Sequence, residues 1–415
     1  MNILLTAVKI VDSTSPYHLQ TVDVWLHNGK IAAIGQNLQG NAATTKQNCQ
    51  GLSLSTGWVD MGAVCGEVGN EHREDFVSLA KAAQKGGFTQ VGVLPNTSPV
   101  VQSKESIAFI RSKSSENVTF LPIAAASLDL KGEDLTEVLD LYKAGAVAFS
   151  DGLHSITNTA MLHKALLYLQ HTGAVLINRP DDKHLTKWGV MHEGNAAVHL
   201  GLKGMPSIAE HLGIQKELKM LEYTGGKLHF SCISTAESVS MIAEAKAKGL
   251  AITCDIAAYQ LSFLDEDLYG FDTNLKVKPP FRTATDRQAL LNGLADGTID
   301  AVISAHCPLD IEAKELEFDL ADYGIIGLET AFASLWSATQ HQLSITQVID
   351  KLTVAPRKIL QLPNVSIQEN SPIDLTLFSE TTEWTFSHKD IASKSKNTPF
   401  VGKTLTGKVM ETFKG

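Results

Sequence analysis

The feature that most constrains the fold is a regular alternation of short apolar runs and longer helical patterns between residues 60 and 355. Apolar runs such as "TQVGVLP", "GAVAFSD" and "KLHFSCI" are each followed by a segment with helical periodicity. Strands that alternate with helices form βα units with parallel strands. About eight such units fit into this interval, which is the size of a TIM-like barrel. The sequence therefore predicts an α/β protein built around one (β/α)8 barrel.

The two ends of the chain have a different pattern, made of short β-branched runs. "TVDVWLHNGKIAAIG" lies near the start, and "PIDLTLFSE" and "EWTFS" lie near the end. The Asn-Gly pair between His27 and Lys30 predicts a tight hairpin turn. We expect residues 1–55 and 361–415 to pair into one small β-sandwich domain, and residues 56–360 to form the barrel.

Composition excludes several classes of function. The chain has a net charge of -10 and no cluster of Lys and Arg, so we expect no nucleic-acid partner. The sequence contains no run of about 18 apolar residues, so we expect no membrane span. The five cysteines include no CxxC pair, and the N-terminal alternation is typical of a strand and not of a signal peptide. Reduced thiols of this kind favour a cytoplasmic protein.

Seven collinear stretches resemble the dihydroorotases of the amidohydrolase superfamily, and together they span essentially the whole chain. They are "EHREDF", "AAQKGGFTQVGVLPNTSPV", "EGNAAVHLGLKGMPSIAEH", "HFSCISTAESV", "KVKPPFRTATDRQALLNGLADGTIDAVIS", "GIIGLETAFA" and "NTPFVGKTLTGKV". The resemblance implies the TIM-like barrel and a place in pyrimidine biosynthesis. In that family, one or two zinc ions at the barrel mouth activate a water that attacks the ring amide of dihydroorotate. Because the family favours dimers and larger assemblies, the resemblance also implies a homo-oligomer.

The family's first metal motif, D-x-H-x-H-x-R, has lost its functional side chains here. Two His at i and i+2 on an extended segment face the same way and grip one metal ion. The Arg that follows them binds the substrate carboxylate. In this chain the motif begins at Asp60, the His positions hold Gly62 and Val64, and the Arg position holds Gly66. Neither Gly nor Val can ligate a metal through its side chain.

The family's remaining metal positions fall at Asp151, Arg179, Cys232 and Ala305. Asp151 alone keeps the family's residue, and Cys232 could bind zinc only as a thiolate. Ala305 replaces an Asp that is also the family's proton-transferring group. The resemblance therefore implies a degenerate metal site, and we expect neither a zinc cofactor nor a catalytic residue.

Some of the family's substrate-binding residues are replaced as well. Asn96 and His306 survive, Lys278 replaces an Asn before the paired prolines, and the family's "PHH" reads "AYQ" at residues 258–260. The residues that we expect in a pocket at the barrel mouth are Asn96, Asp151, Arg179, Lys278 and His306. Arg179 either stands where the metal charge would stand and pairs with Asp151, or is a solvent-exposed loop residue.

Three thiols offer an alternative metal site. Cys65, Cys232 and Cys307 could all lie near the mouth and form a new zinc site, or each could be a small apolar filler. We favour fillers, because free cysteine commonly behaves as a small buried apolar residue.

Three functions are compatible with this pattern. The first, which we favour, is a non-catalytic homologue that acts as a structural or regulatory partner. Inactive dihydroorotase-like chains assemble with aspartate carbamoyltransferase, so the resemblance implies that enzyme as a partner. The second is an active dihydroorotase, or a related cyclic-amide hydrolase of the allantoinase or hydantoinase kind, with a metal site rebuilt from residues such as Asp151, Cys232 and His306. The third is a small-molecule sensor that binds a carboxylate ligand.

Overall fold

The structure is a computed structural model that describes all 415 residues. The strands in chain order are β1 (Asn2–Ile10), β2 (Thr21–His27), β3 (Lys30–Gly35), β4 (Thr45–Asn48), β5 (Ser53–Thr56), β6 (Trp58–Ala63), β7 (Phe88–Val93), β8 (Thr119–Ala124), β9 (Ala148–Phe149), β10 (Leu176–Asn178), β11 (Met191–His192), β12 (Gly204–Met205), β13 (Leu228–Phe230), β14 (Ile252–Ala257), β15 (Ala301–Ile303), β16 (Asp374–Thr385) and β17 (Thr404–Lys414). The α-helices are α1 (Phe76–Gly86), α2 (Lys104–Ser112), α3 (Val138–Ala144), α4 (Thr159–Gln170), α5 (Lys183–Thr186), α6 (Asn195–Leu200), α7 (Ile208–Thr224), α8 (Ala236–Ala247), α9 (Ala284–Asp296), α10 (Ala331–Thr339), α11 (Ile345–Leu352) and α12 (Val354–Ile359).

The two ends of the chain share one seven-stranded sheet in the order β17-β16-β5-β1-β2-β3, with β4 paired to β1. Strand β16 lies antiparallel to β5, so the last strands of the chain complete the sheet begun by the first. The predicted hairpin is confirmed: Asn28 and Gly29 both have positive φ, 48° and 74°, and His27 pairs with Lys30. Two successive positive φ angles are the requirement of a type I′ turn, which Asn-Gly meets at little cost.

An eight-stranded sheet forms the barrel, in the order β6-β7-β8-β9-β10-β13-β14-β15. Every pairing within it is parallel. The first and last strands are linked by hydrogen bonds to the carboxylate of Asp60, at 2.7 Å from the amide of Ser304 and at 2.8 Å from its hydroxyl. The amide of Val64 also donates to the carbonyl of His306 at 2.8 Å. The predicted (β/α)8 TIM-like fold is therefore confirmed.

Alternation along the strands sets which side chains fill the barrel. Val59 and Met61 of β6 point to an inner apolar cluster that also contains Ile123, Ile177 and Ile303. The same period of two sends the other face of each strand toward the surrounding helices.

The helices have clear start and stop signals. In α1, for example, the side chain of Asp75 accepts a hydrogen bond from the amide of Ser78, and Gly87 ends the helix with φ of 88°. An N-cap carboxylate and a left-handed glycine satisfy backbone groups that a helix end leaves free. No helix in the structure combines the length and the apolar character that a membrane crossing needs.

Candidate functional site at the barrel mouth

A cavity of about 450 Å³ opens at the carboxyl ends of the barrel strands. Its lining includes residues that lie within three positions of the ends of five of these strands: Val64 after β6, Asn96 after β7, Arg179 after β10, Tyr259 after β14 and Ala305 after β15. The carboxyl-terminal face is where (β/α)8 barrels place their ligand sites.

Of the five residues predicted to line a pocket, three do so and two do not. Asn96, Arg179 and Lys278 line the cavity. Asp151 and His306 are buried, with 1% and 0% of their surfaces exposed, and neither contributes to the cavity wall. Their predicted position in the pocket is wrong, because both side chains are held in hydrogen bonds beneath it.

The carboxylate of Asp151 is bound by Ser127. It accepts hydrogen bonds from the Ser127 amide at 2.8 Å and from the Ser127 hydroxyl at 2.5 Å. Burial raises the pKa of Asp151 in spite of these donors. Arg179 forms no ion pair with it, and its Nη1 instead donates to the carbonyl oxygen of Lys278 at 3.2 Å. The structure shows neither alternative for Arg179: Ser127 occupies the carboxylate of Asp151, and Arg179 is half-buried and not solvent-exposed.

His306 is part of a buried link between the barrel and the chain that precedes α1. Its Nδ1 accepts a hydrogen bond from the amide of Gly327 at 3.2 Å, which requires the proton to be on Nε2. Nε2 then donates to the carboxylate of Glu74 at 3.3 Å. Both ring nitrogens are used in this way, so His306 is not free to act in the cavity.

At two of the three lost positions at the end of β6, Gly62 and Gly66, a side chain would collide with neighbouring atoms, whereas Val64 lines the cavity. A Cβ atom on Gly62 would lie 2.6 Å from Cδ1 of Ile303. A Cβ atom on Gly66 would lie 2.1 Å from the carbonyl oxygen of Asn70 and 2.7 Å from that of Glu74. These distances are shorter than van der Waals contact, so the family's larger side chains do not fit unless the neighbouring atoms move.

The remaining metal positions supply little to a zinc ion. Ala305 has φ of 45° and carries no donor atom. Burial raises the pKa of the Cys232 thiol to about 11, although Arg179 acts to lower it, so a zinc ion would have to displace the thiol proton. No three side chains of His, Cys, Asp or Glu are grouped so that they could hold a metal ion. The residues present do not fit the family's zinc site.

The three thiols do not form a group either. Cys65 and Cys307 line the cavity, whereas Cys232 lines a neighbouring cleft. Burial raises the pKa of each thiol. The structure therefore places them as protonated, mainly buried side chains in different parts of the wall.

Sequence reasoning missed several polar residues of the cavity. Tyr259 is only 5% exposed, and its hydroxyl makes no hydrogen bond to the protein. His154 and Tyr323 also line the wall, as does Arg73, which pairs with Asp310 at 2.9 Å. Tyr259 could have been recognised, because it stands in the position of the family's "PHH". For the other three, no motif in the sequence indicates the cavity.

Comparison with known proteins agrees with the resemblance in the sequence. The dihydro-orotase-like family model matches residues 53–238. The dihydroorotase of Geobacter metallireducens is 35% identical over 418 residues, which covers 100% of this chain and 98% of that protein. The dihydroorotase of Pelotomaculum thermopropionicum is 37% identical over 420 residues, which covers 100% of this chain and 97% of that protein.

Solved structures share the fold at lower identity. An L-hydantoinase (dihydropyrimidinase) from Arthrobacter aurescens superposes with a TM-score of 0.87 at 21% identity, covering 100% of this chain and 94% of that one. A D-hydantoinase superposes with a TM-score of 0.84 at 20% identity, with the same coverage. These likenesses show the shared fold, and the relatives that match over the full length at 35% and 37% identity show that the chain belongs to the dihydroorotase family.

Proposed function

We propose that this chain is a non-catalytic member of the dihydroorotase family with a structural or regulatory role in pyrimidine biosynthesis. The observation that carries the proposal is which residues occupy the six family metal positions. Asp151 and Cys232 alone have side chains that could serve as zinc ligands. The first is bound by Ser127, and burial raises the pKa of the second to about 11.

Two possible zinc ligands are too few for the family's zinc-dependent hydrolysis. A catalytic zinc site has three protein ligands and one open position, and it supplies both the nucleophilic water and the Lewis acid. The methyl group of Ala305 cannot accept or deliver a proton where the family's Asp does so. We therefore expect hydrolysis of dihydroorotate to be absent.

The rival is an active cyclic-amide hydrolase with a rebuilt site. It is favoured by the names of the relatives, since proteins 35% and 37% identical over the whole chain are called dihydroorotase. Activity would require further metal ligands beside Asp151 and Cys232, because no three His, Cys, Asp or Glu side chains are grouped so that they could hold a metal ion.

One experiment decides between these two functions. Dihydroorotate hydrolysis is measured on the purified chain with zinc supplied, and bound metal is quantified on the same sample, with a chelated sample as the control. We expect no turnover above the chelated control and zinc well below one ion per chain. Turnover that rises with bound zinc would overturn the proposal.

For the structural role, we propose aspartate carbamoyltransferase as the partner. The proposal is supported by the family resemblance and by the complete barrel that the chain keeps without the family's ligands. Sedimentation velocity of the chain alone reports whether it forms a homo-oligomer, and sedimentation of a mixture with the carbamoyltransferase from the same organism reports assembly. We expect a faster boundary that contains both proteins. Independent sedimentation at micromolar concentrations would contradict this partner.

A further inference from the structure

One side of the cavity at the barrel mouth is formed by a long connection that follows β15. Residues 311–324 of this connection contain no helix or strand, and we call them the mouth segment. Asp322, Tyr323 and Gly324 of the mouth segment line the cavity. The position of the segment therefore sets how far the cavity is open to solvent.

Two buried lysines hold the mouth segment through its backbone. The ammonium group of Lys314, within the segment, donates to the carbonyl oxygen of Asp322 at 2.8 Å. The ammonium group of Lys276, outside the segment, donates to the carbonyl oxygen of Asp319 at 3.0 Å and lies 4.7 Å from the ring centre of Tyr323. Lys314 and Lys276 are only 5% and 2% exposed. Both charges are thus removed from water and placed against neutral partners.

Neither ammonium group forms an ion pair that would compensate for this burial. The carboxylates of Asp272 and Asp322 favour the charged form of Lys314 from a distance, whereas the charge of Lys276 opposes it. The thiol of Cys307 also lies nearby, but burial raises its pKa. An ammonium group that is buried without a carboxylate is less stable than one in water.

Burial accordingly lowers the pKa of both lysines, and it lowers that of Lys314 to about 8. Around Lys276, the carboxylates of Asp319 and Asp322 act in the opposite direction without overcoming the effect of burial. Deprotonation does not remove the hydrogen bond from Lys314, because a neutral amine keeps two N–H groups. The neutral form therefore suits the closed position of the mouth segment better than the charged form does.

We propose that the mouth segment is a proton-controlled cover over the cavity, which protonation of Lys314 loosens and deprotonation of Lys314 tightens. When the segment opens, the Lys314 amine meets water and regains its ordinary pKa of 10.5. As the pH rises from about 8 toward 10.5, the amine is neutral in the closed position but still charged in the open one. The closed position becomes more stable over this range, and the cavity becomes less accessible.

The two pKa values of Lys314 also set the size of the effect. With 8 for the closed segment and 10.5 for the open one, the equilibrium constant for opening should fall by about tenfold between pH 7 and pH 9. The lowered pKa of Lys276 acts in the same direction. The inference does not depend on the proposed function, because it concerns access to the cavity and not hydrolysis.

The test is quenched-flow hydrogen–deuterium exchange of the full-length chain at pH 7, 8 and 9, corrected for the intrinsic exchange rate of amides and read by mass spectrometry. Two amides of the segment report its opening: Asp322 donates to the carbonyl oxygen of Ala313 at 2.9 Å, and Gly324 donates to that of Lys276 at 3.0 Å. We expect the opening constant to fall by about tenfold from pH 7 to pH 9.

Lys314→Met fills similar space without a charge, so it should lower the opening constant at pH 7 by at least about fivefold and reduce its pH dependence. A lysine that only supplied a hydrogen bond would give the opposite sign, because its loss would raise the opening constant. The matched control is Lys351→Met: Lys351 is half-buried and donates to the carbonyl oxygen of Ile299, away from the segment. It should leave exchange in residues 311–324 unchanged.

If Lys314→Met does not fold, Lys276→Met removes the second buried charge and should also lower the opening constant at pH 7. Two results would overturn the inference. One is an opening constant that stays level or rises between pH 7 and pH 9 in the unmodified chain. The other is faster exchange of the mouth segment in the folded Lys314→Met or Lys276→Met variant than in the unmodified chain at pH 7.

Discussion

The two sides of the barrel mouth have lost the family's metal ligands in different ways. On the closed side, at the ends of β6 and β15, small residues such as Gly62 and Ala305 replace the ligands: the side chain of Ile303 takes up the space beside Gly62, and Ala305 contributes only a methyl group to the cavity wall. On the open side, at the ends of β10 and β14, Arg179 and Tyr259 bring larger polar groups to the cavity wall. The closed side has thus lost polar groups and gained none, whereas the open side has gained a guanidinium and a phenol hydroxyl.

The largest effect that we expect comes from Gly66 on the closed side. Gly66→Ala places a Cβ atom 2.1 Å from one backbone carbonyl oxygen and 2.7 Å from another, and backbone atoms yield less readily than side chains. We predict a loss of at least about 3 kcal/mol in the free energy of unfolding, measured by urea denaturation. Gly270→Ala is the control, because no heavy atom lies within 4 Å of its Cβ position. Similar stability of both variants would show that the closed side is not tightly packed.

On the open side, the residue before Arg179 is hydrogen-bonded to a buried acid, and the titration of this acid makes the stability of the chain depend on pH. Glu217 accepts a hydrogen bond from Nδ2 of Asn178 at 2.8 Å, next to Arg179, and burial raises the pKa of Glu217 to about 8. In the unfolded state the Glu217 carboxyl has its ordinary pKa of 4.5, so its contribution to the free energy of unfolding is complete below that pH and is lost as the pH rises to about 8. Between these values, stability relative to Glu217→Gln should fall by about 1.4 kcal/mol per pH unit.

Urea denaturation at several pH values, on the unmodified chain and on Glu217→Gln, measures this slope. The control is Glu222→Gln on the same helix α7, where an exposed carboxylate pairs with Lys219 at 2.7 Å. Its stability should follow that of the unmodified chain across the same range. A constant difference between the chain and Glu217→Gln would mean that Glu217 is ionised in the folded protein.

A smaller effect should come from Gly62, where the neighbouring atom belongs to a side chain. Gly62→Ala brings a Cβ atom to 2.6 Å from Cδ1 of Ile303, and we expect a loss of about 1–2 kcal/mol. Ile303→Val removes that Cδ1 atom, so in the double variant the cost of Gly62→Ala should largely disappear. A double-mutant cycle then gives a favourable coupling of about 1 kcal/mol. Additive losses would show that Ile303 is not what fills the space at Gly62.

The smallest effect should be the response of the thiols to zinc. Cys232 lies on the open side and Cys65 and Cys307 line the cavity, and burial raises the pKa of all three. We predict that alkylation of the folded chain by iodoacetamide at pH 8 changes by less than about twofold between added zinc and added chelator, because protonated thiols are poor ligands. Peptide mapping by mass spectrometry measures each site. Protection of Cys232 by zinc would favour a rebuilt metal site.

The fold could be predicted from the sequence because its signals are local. The Asn28–Gly29 turn follows from backbone preference, and the barrel follows from the alternation of strand and helix patterns. The detail of the site could not be predicted in the same way. The partners of Asp151 and His306 are Ser127 and Glu74, which lie 24 and 232 residues away in the chain. Hydrogen bonds between such distant residues depend on the packed structure, and no motif in the sequence contains both partners.

The most direct test of the account is anomalous X-ray diffraction at the zinc absorption edge, on crystals grown with zinc. We predict no anomalous peak between Asp151 and Cys232. A zinc peak in the barrel mouth, with protein ligands around it, would contradict the account.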